Sequence, residues 1–108
     1  MAVMQTLLNV NTLELVGKRP LLEIETILSN PGYKKELLWR APDGDWWVHI
    51  QRCSDVEQHY EIMVRDSHDD MLLYLLFTSL KQVEQQTPFH LCDFRIADAW
   101  MNDREWVI

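Results

Sequence analysis

Glycine, proline and cysteine are all scarce in this chain, with three, four and two among 108 residues. So few glycines leave little material for the backbone cradles that hold phosphate or a developing oxyanion. The two cysteines, Cys53 and Cys92, stand in no CxxC spacing. That argues against a disulfide framework and predicts reduced thiols in a cytoplasmic protein. Long apolar runs are missing as well: MLLYLLF at 71–77 falls far short of the about 20 apolar residues a membrane helix needs. The opening MAVMQTLLNVN lacks a basic segment followed by a long apolar one, so it does not read as a signal peptide. Positive charge is in deficit too, ten Lys and Arg against seventeen Asp and Glu. The net charge of −7 repels phosphate backbones and anionic headgroups, which disfavours nucleic acid and membrane as partners. A partner protein with a basic surface fits that charge, although solubility alone is the plainer reason for it.

What remains is the composition of one folded domain, 47% hydrophobic and 25% charged. Residues 6–16 mix strand and helix patterns. Pro20 then suits the start of a helix, and Leu21, Ile24, Ile27 and Leu28 recur at helical spacing until SNPG at 29–32 ends it. Ala41-Pro42-Asp43-Gly44 reads as a turn with glycine in the left-handed position, so 36–41 and 45–53 form a hairpin. HYEIMVRD alternates again after the short connection SDVEQ and predicts a second hairpin. Its register puts Cys53 opposite His59, Ile50 opposite Ile62 and Val48 opposite Val64. The other face then pairs Gln51 with Glu61, His49 with Met63 and Trp47 with Arg65.

Two capping patterns compete in 67–86. Ser67 with Asp70 would start one long helix; Ser79 with Gln82 would start a shorter one after a strand at 71–77. The second is preferred, because DSHDD reads as a hairpin loop and Thr78-Ser79 is poor in mid-helix. FHLCDFRI at 89–96 is expected to be the last strand, with Cys92, Phe94 and Ile96 inward. The expected fold is α+β: an antiparallel four- to five-stranded meander sheet with one helix before it and one after it. The apolar tail at 106–108 suggests docking on the domain or on a second copy, and with open sheet edges it allows a homodimer.

No residue set demands a metal or a cofactor, and none is expected. His49 and Cys53 lie about 13 Å apart along one strand at roughly 3.3 Å per residue, too far to share a zinc bound at about 2.0–2.3 Å. Cys53 with His59 could make a nucleophile and base, but no oxyanion loop accompanies them, and a small buried cysteine is the commoner outcome. The aspartates at 43, 45, 69 and 70 sit in turns, where backbone reasons suffice. The surplus is aromatic: five tryptophans. Trp39 and Trp47 are expected as cross-strand neighbours, with Leu37 and His49 the next pair and Arg65 beside Trp47. Such a surface is enriched at interfaces, while the plainer outcome is a second small core.

Three functions from different classes follow. The leading expectation is a non-enzymatic interaction module, such as a regulator, assembly factor or inhibitor. It would bind a protein through Trp39, Trp47, His49, Met63 and Arg65 or through the acidic C-terminal part. The second is a small-molecule pocket on the Trp47, His49 and Met63 face, with Tyr74 at its margin. The third is an enzyme built on Cys53 and His59.

Overall fold

In the computed structural model, which describes residues 10–30, 34–52 and 59–99, one antiparallel sheet of six strands is accompanied by two helices. The elements are β1 (Glu14–Leu15), α1 (Leu21–Leu28), β2 (Lys35–Arg40), β3 (Trp46–Arg52), β4 (Tyr60–Asp66), β5 (Met71–Phe77), α2 (Leu80–Gln86) and β6 (Arg95–Asp98). Single turns of 3-10 helix occupy Val10–Thr12 and Leu91–Asp93. The α+β architecture is as expected, with more strands than the four or five anticipated. Strands β2 to β5 form the meander. β6 returns to pair with β2, and β1 pairs on its far side, giving the order β1-β6-β2-β3-β4-β5.

The β3–β4 register follows the alternation of the sequence, with Ile50 opposite Ile62, Val48 opposite Val64, His49 opposite Met63 and Trp47 opposite Arg65. The expected pairing of Cys53 with His59 falls on Cys53, which lies outside the described residues. The β2–β3 register departs from expectation by one residue. Trp39 faces Val48 and Leu37 faces Ile50, while Arg40 faces Trp47. The cause is the turn. Ala41 donates its N–H to the Trp46 carbonyl at 3.0 Å, so four residues rather than three lie in the loop. Asp43 Oδ1 accepts the Asp45 N–H at 3.0 Å and draws Asp45 out of the strand. Gly44, at φ 77°, takes the left-handed position as expected. Because side chains alternate with period two, that one residue transfers Trp39 to the opposite face from Trp47.

Of the competing readings of 67–86, the hairpin is present. Asp66 Oδ1 accepts the N–H groups of His68 and Asp70, each at 2.9 Å, and Asp69 adopts φ 68°. Ser79 Oγ accepts the Gln82 N–H at 3.3 Å, and Gln82 Oε1 accepts the Thr78 N–H at 2.9 Å, so side chains cap α2. Ser79→Ala is therefore expected to cost about 1 kcal/mol, read as a shift in urea midpoint at constant slope.

The segment 89–96 is a correction. The N–H groups of Asp93 and Phe94 close a 3-10 turn on the carbonyls of His90 and Leu91, both at 3.0 Å, and the strand begins only at Arg95. Phe94 is buried as expected; Cys92 is exposed and Ile96 half-buried. The turn leaves the Phe94 carbonyl to accept the Val16 N–H at 2.9 Å, which joins the N-terminal segment to the sheet.

The helices cover one face. Ile24 and Leu28 of α1 and Leu80 and Val83 of α2 pack on Leu37, Val48, Ile50, Tyr60, Ile62 and Val64, with Val16, Leu91 and Phe94 completing the core. On the other face Val10, Leu38 and Ala97 form a smaller cluster with Leu13 and Trp47. The apolar tail expected to dock, at 106–108, lies outside the described residues.

Candidate functional site

The five residues singled out by sequence fall on two faces. Trp39 belongs to the main core, in a cluster of rings with Trp46 at 5.2 Å, Phe89 at 5.9 Å and Phe94 at 6.5 Å between centroids. Trp47, His49, Met63 and Arg65 share the second face. Trp47 is half-buried in the smaller cluster, and the guanidinium above its ring is that of Arg40, 5.2 Å from the centroid. Trp39 and Trp47 thus pack in different cores.

The centre of the second face is polar and buried. His49 Nδ1 lies 2.8 Å from Glu36 Oε1, and these residues are only 6% and 2% exposed. Beside them Gln51 Nε2 donates to Glu61 Oε1 at 3.3 Å, and the Tyr74 hydroxyl donates to the other Glu61 oxygen. Arg65 Nη1 donates to Asp69 Oδ1 at 3.0 Å, which ties β4 to the turn that follows it. Met63 is also buried. Gln51, at 4% exposed, is as deeply buried as its neighbours. Glu36 and Arg40 were missed in the sequence reading. Both sit at alternate positions with Leu38 on β2, and the correct turn length would have brought them to this face.

One open hollow of about 720 Å³ is lined by Leu22, Glu25, Ser29, Arg52, Tyr60 and Thr78, among others. Arg52 donates to Ser29 Oγ, and its guanidinium stands 5.7 Å from the Tyr60 ring centroid. Burial, and then the nearby Glu25 carboxylate, push the Tyr60 phenol above its ordinary range, with Arg52 opposing. A smaller slot of about 240 Å³ lies between Trp39, Pro88, Phe89, His90, Asp93 and Phe94.

The Cys53 half of the Cys53 and His59 pair is outside the described residues. Cys92 is a free, exposed thiol. Desolvation, reinforced by the adjacent Asp93 carboxylate, raises its pKa, the reverse of what an activated nucleophile needs. In a Cys53→Ser variant, iodoacetamide is expected to alkylate Cys92 more slowly than free glutathione at pH 7; a faster rate would contradict this. Among the described residues no group of three or more His, Cys, Asp and Glu is arranged to hold a metal ion, and no helix is long and apolar enough to cross a membrane.

The most unusual surface is β5. Among the described residues it is the terminal strand of the sheet, and Met71, Leu72, Leu73, Tyr74 and Leu76 are between 45% and 58% exposed. Its seven residues hold no charge and no proline. The register on β4 shifts once, Val64 facing Leu73 and Arg65 facing Met71, so Leu72 is the extra residue at that point. At the same end of the sheet the turns 41–45 and 66–70 stand side by side, because Trp46 pairs with Asp66. They bring Asp43, Asp45, Asp66, Asp69 and Asp70 to one end of the sheet, with Asp66, Asp69 and Asp70 next to β5, and Asp43, Asp66 and Asp69 bond within the turns or to Arg65.

No protein-family model matches the chain, and no curated protein or solved structure matches it.

Proposed function

We propose that this chain is a non-enzymatic protein-interaction module, a regulator, assembly factor or inhibitor, whose contact surface is the outer edge of β5. The carrying observation is an uncharged apolar strand, about half exposed along its length, at the end of the sheet. Edge strands are ordinarily blunted by lysine, proline or short length, because they invite pairing with another chain. This one is seven residues long with no charge and no proline, its single irregularity being the extra residue at Leu72, and a partner strand added along its regular part would cover leucines that otherwise face water. The aspartates at one end of β5 favour a partner that carries positive charge next to its apolar segment. Two cysteines outside any paired spacing suit a reducing compartment such as the cytoplasm.

The residues first expected to make contact have a smaller part in this reading. Trp39 is committed to the core, and His49, Met63 and Arg65 are buried. Trp47, half-buried beside Arg40, is the one that can join an interface spreading across the second face.

The test uses parallel affinity captures from the native cell with the wild-type chain, Leu76→Lys and Trp47→Ala, each shown to be folded by circular dichroism. A partner retained by the wild type and lost by Leu76→Lys supports the β5 edge. Partners held equally by all three would remove both surfaces.

A further inference from the structure

We infer that the slot between Trp39, Phe89 and Phe94 is a binding site for a quaternary ammonium group, carried by a small molecule or by a trimethylated lysine side chain. The site is separate from the β5 edge. Its volume of about 240 Å³ lies under the about 300 Å³ at which pockets for drug-sized ligands begin. It has room for one compact group. The walls are aromatic and turned to one another: Phe94 lies at 86° to Phe89 and 36° to Trp39, and Trp39 lies at 50° to Phe89. The attraction of a ring for a cation is strongest over its face, and walls in several orientations offer a compact cation more than one approach.

Hydrogen bonds fix the segment that carries two of these walls. The Phe89 N–H donates to Thr87 Oγ1 at 3.3 Å, and that hydroxyl donates to the Val83 carbonyl at 2.6 Å. The Leu91 N–H donates to Glu84 Oε2 at 3.2 Å, and the 3-10 turn then sets Asp93 and Phe94. A site ordered before binding loses little freedom when a ligand arrives.

Charge selects a cation. Asp93 lines the slot, and among the described residues no lysine or arginine does. The Asp93 carboxylate accepts one weak thiol contact, from the adjacent Cys92 at 3.8 Å, and among the described residues it forms no ion pair. Trp39 and Trp46 also border the turn 41–45 with Asp43 and Asp45, whereas the guanidinium of the neighbouring Arg40 stands over Trp47 on the other face.

Hydrogen-bonding capacity selects the kind of cation. A lysine ammonium brings three N–H donors and a guanidinium five. The His90 and Leu91 carbonyls beside the slot already accept bonds within the 3-10 turn. Most of those donors would lose water without gaining a partner. A quaternary ammonium has no N–H to strand, and its methyl groups suit walls of tryptophan, phenylalanine and proline.

Titration of the full chain with choline, read at the Trp39 indole N–H by nitrogen-15 NMR, tests this. Millimolar binding is expected, at least about fivefold tighter than for dimethylbutanol, the uncharged carbon isostere of choline. Asp93→Asn, on an exposed side chain, should weaken choline about threefold. Phe89→Leu, which keeps apolar volume, should bring choline and the isostere level. In a second arm, acetyl-trimethyllysine amide should bind at least about tenfold tighter than acetyl-lysine amide. If it also exceeds choline, the group belongs to a protein side chain; if choline exceeds it, to a free small molecule. An isostere bound as tightly as choline, or no shift at Trp39 with about 50 mM choline, overturns the inference. So does a choline affinity unchanged by both variants.

Discussion

Phe94→Ala is expected to lower the free energy of unfolding by about 3–5 kcal/mol, as fully buried aromatic residues do when truncated. Phe94 is 1% exposed and lies in the main core. Its ring sits 6.4 Å from that of Phe89 at 86°, an edge-to-face contact, and packs against Trp39 on β2. Its carbonyl holds Val16, which is itself in the core. Truncation leaves a void at the junction of three chain segments that cannot all move inward without breaking the Val16 bond or the 3-10 turn. Equilibrium denaturation in urea would check the value. A loss under about 1 kcal/mol would mean that the aromatic cluster collapses into the space.

Phe94 also marks where reading the sequence succeeded and where it fell short. Its inward orientation was legible from hydrophobicity. The turn before it was not, because FHLCDFRI alternates well enough to pass for one strand, and only the 3-10 bonds at His90 and Leu91 delay β6 to Arg95. The β3–β4 ladder was legible residue by residue, since a one-residue slip would have put aliphatic side chains on both faces. The β2–β3 ladder gave no such warning. KELLWR has adjacent leucines, so either register buries one of them, and the choice fell to Asp43, whose side chain enlarges the turn. Leu37 and Leu38 are both fully buried, one on each face. The pairing of β6 with β2 joins residues about 60 positions apart, Lys35 with Asp98, and no local pattern encodes it. The exposed β5 edge was hidden for a related reason. An uncharged apolar strand predicts burial on both faces, and only the strand order shows it at the end of the sheet.

Breaking the pair of Glu36 and His49 is the second large effect, with Glu36→Ala and His49→Ala each expected to cost about 3–5 kcal/mol, because either change strands a buried polar partner. Glu36 lies on β2 and His49 on β3, diagonal neighbours across the ladder with Nδ1 and Oε1 at 2.8 Å. Water cannot readily replace a lost partner there, since both side chains are under one-tenth exposed. The double change Glu36→Leu with His49→Leu distinguishes pairing from packing. It removes both polar groups and fills the space with apolar atoms, and is expected to be markedly less destabilising than either single alanine. A double-mutant cycle in urea should return a coupling of about 1–3 kcal/mol. Coupling near zero would mean that the two groups are satisfied independently. The Leu76→Lys substitution on the β5 edge should leave this coupling untouched, because β5 lies two strands from His49 and distant sites add. The polar centre of the second face therefore holds β2 to β3, and the surface offered to a partner lies two strands away.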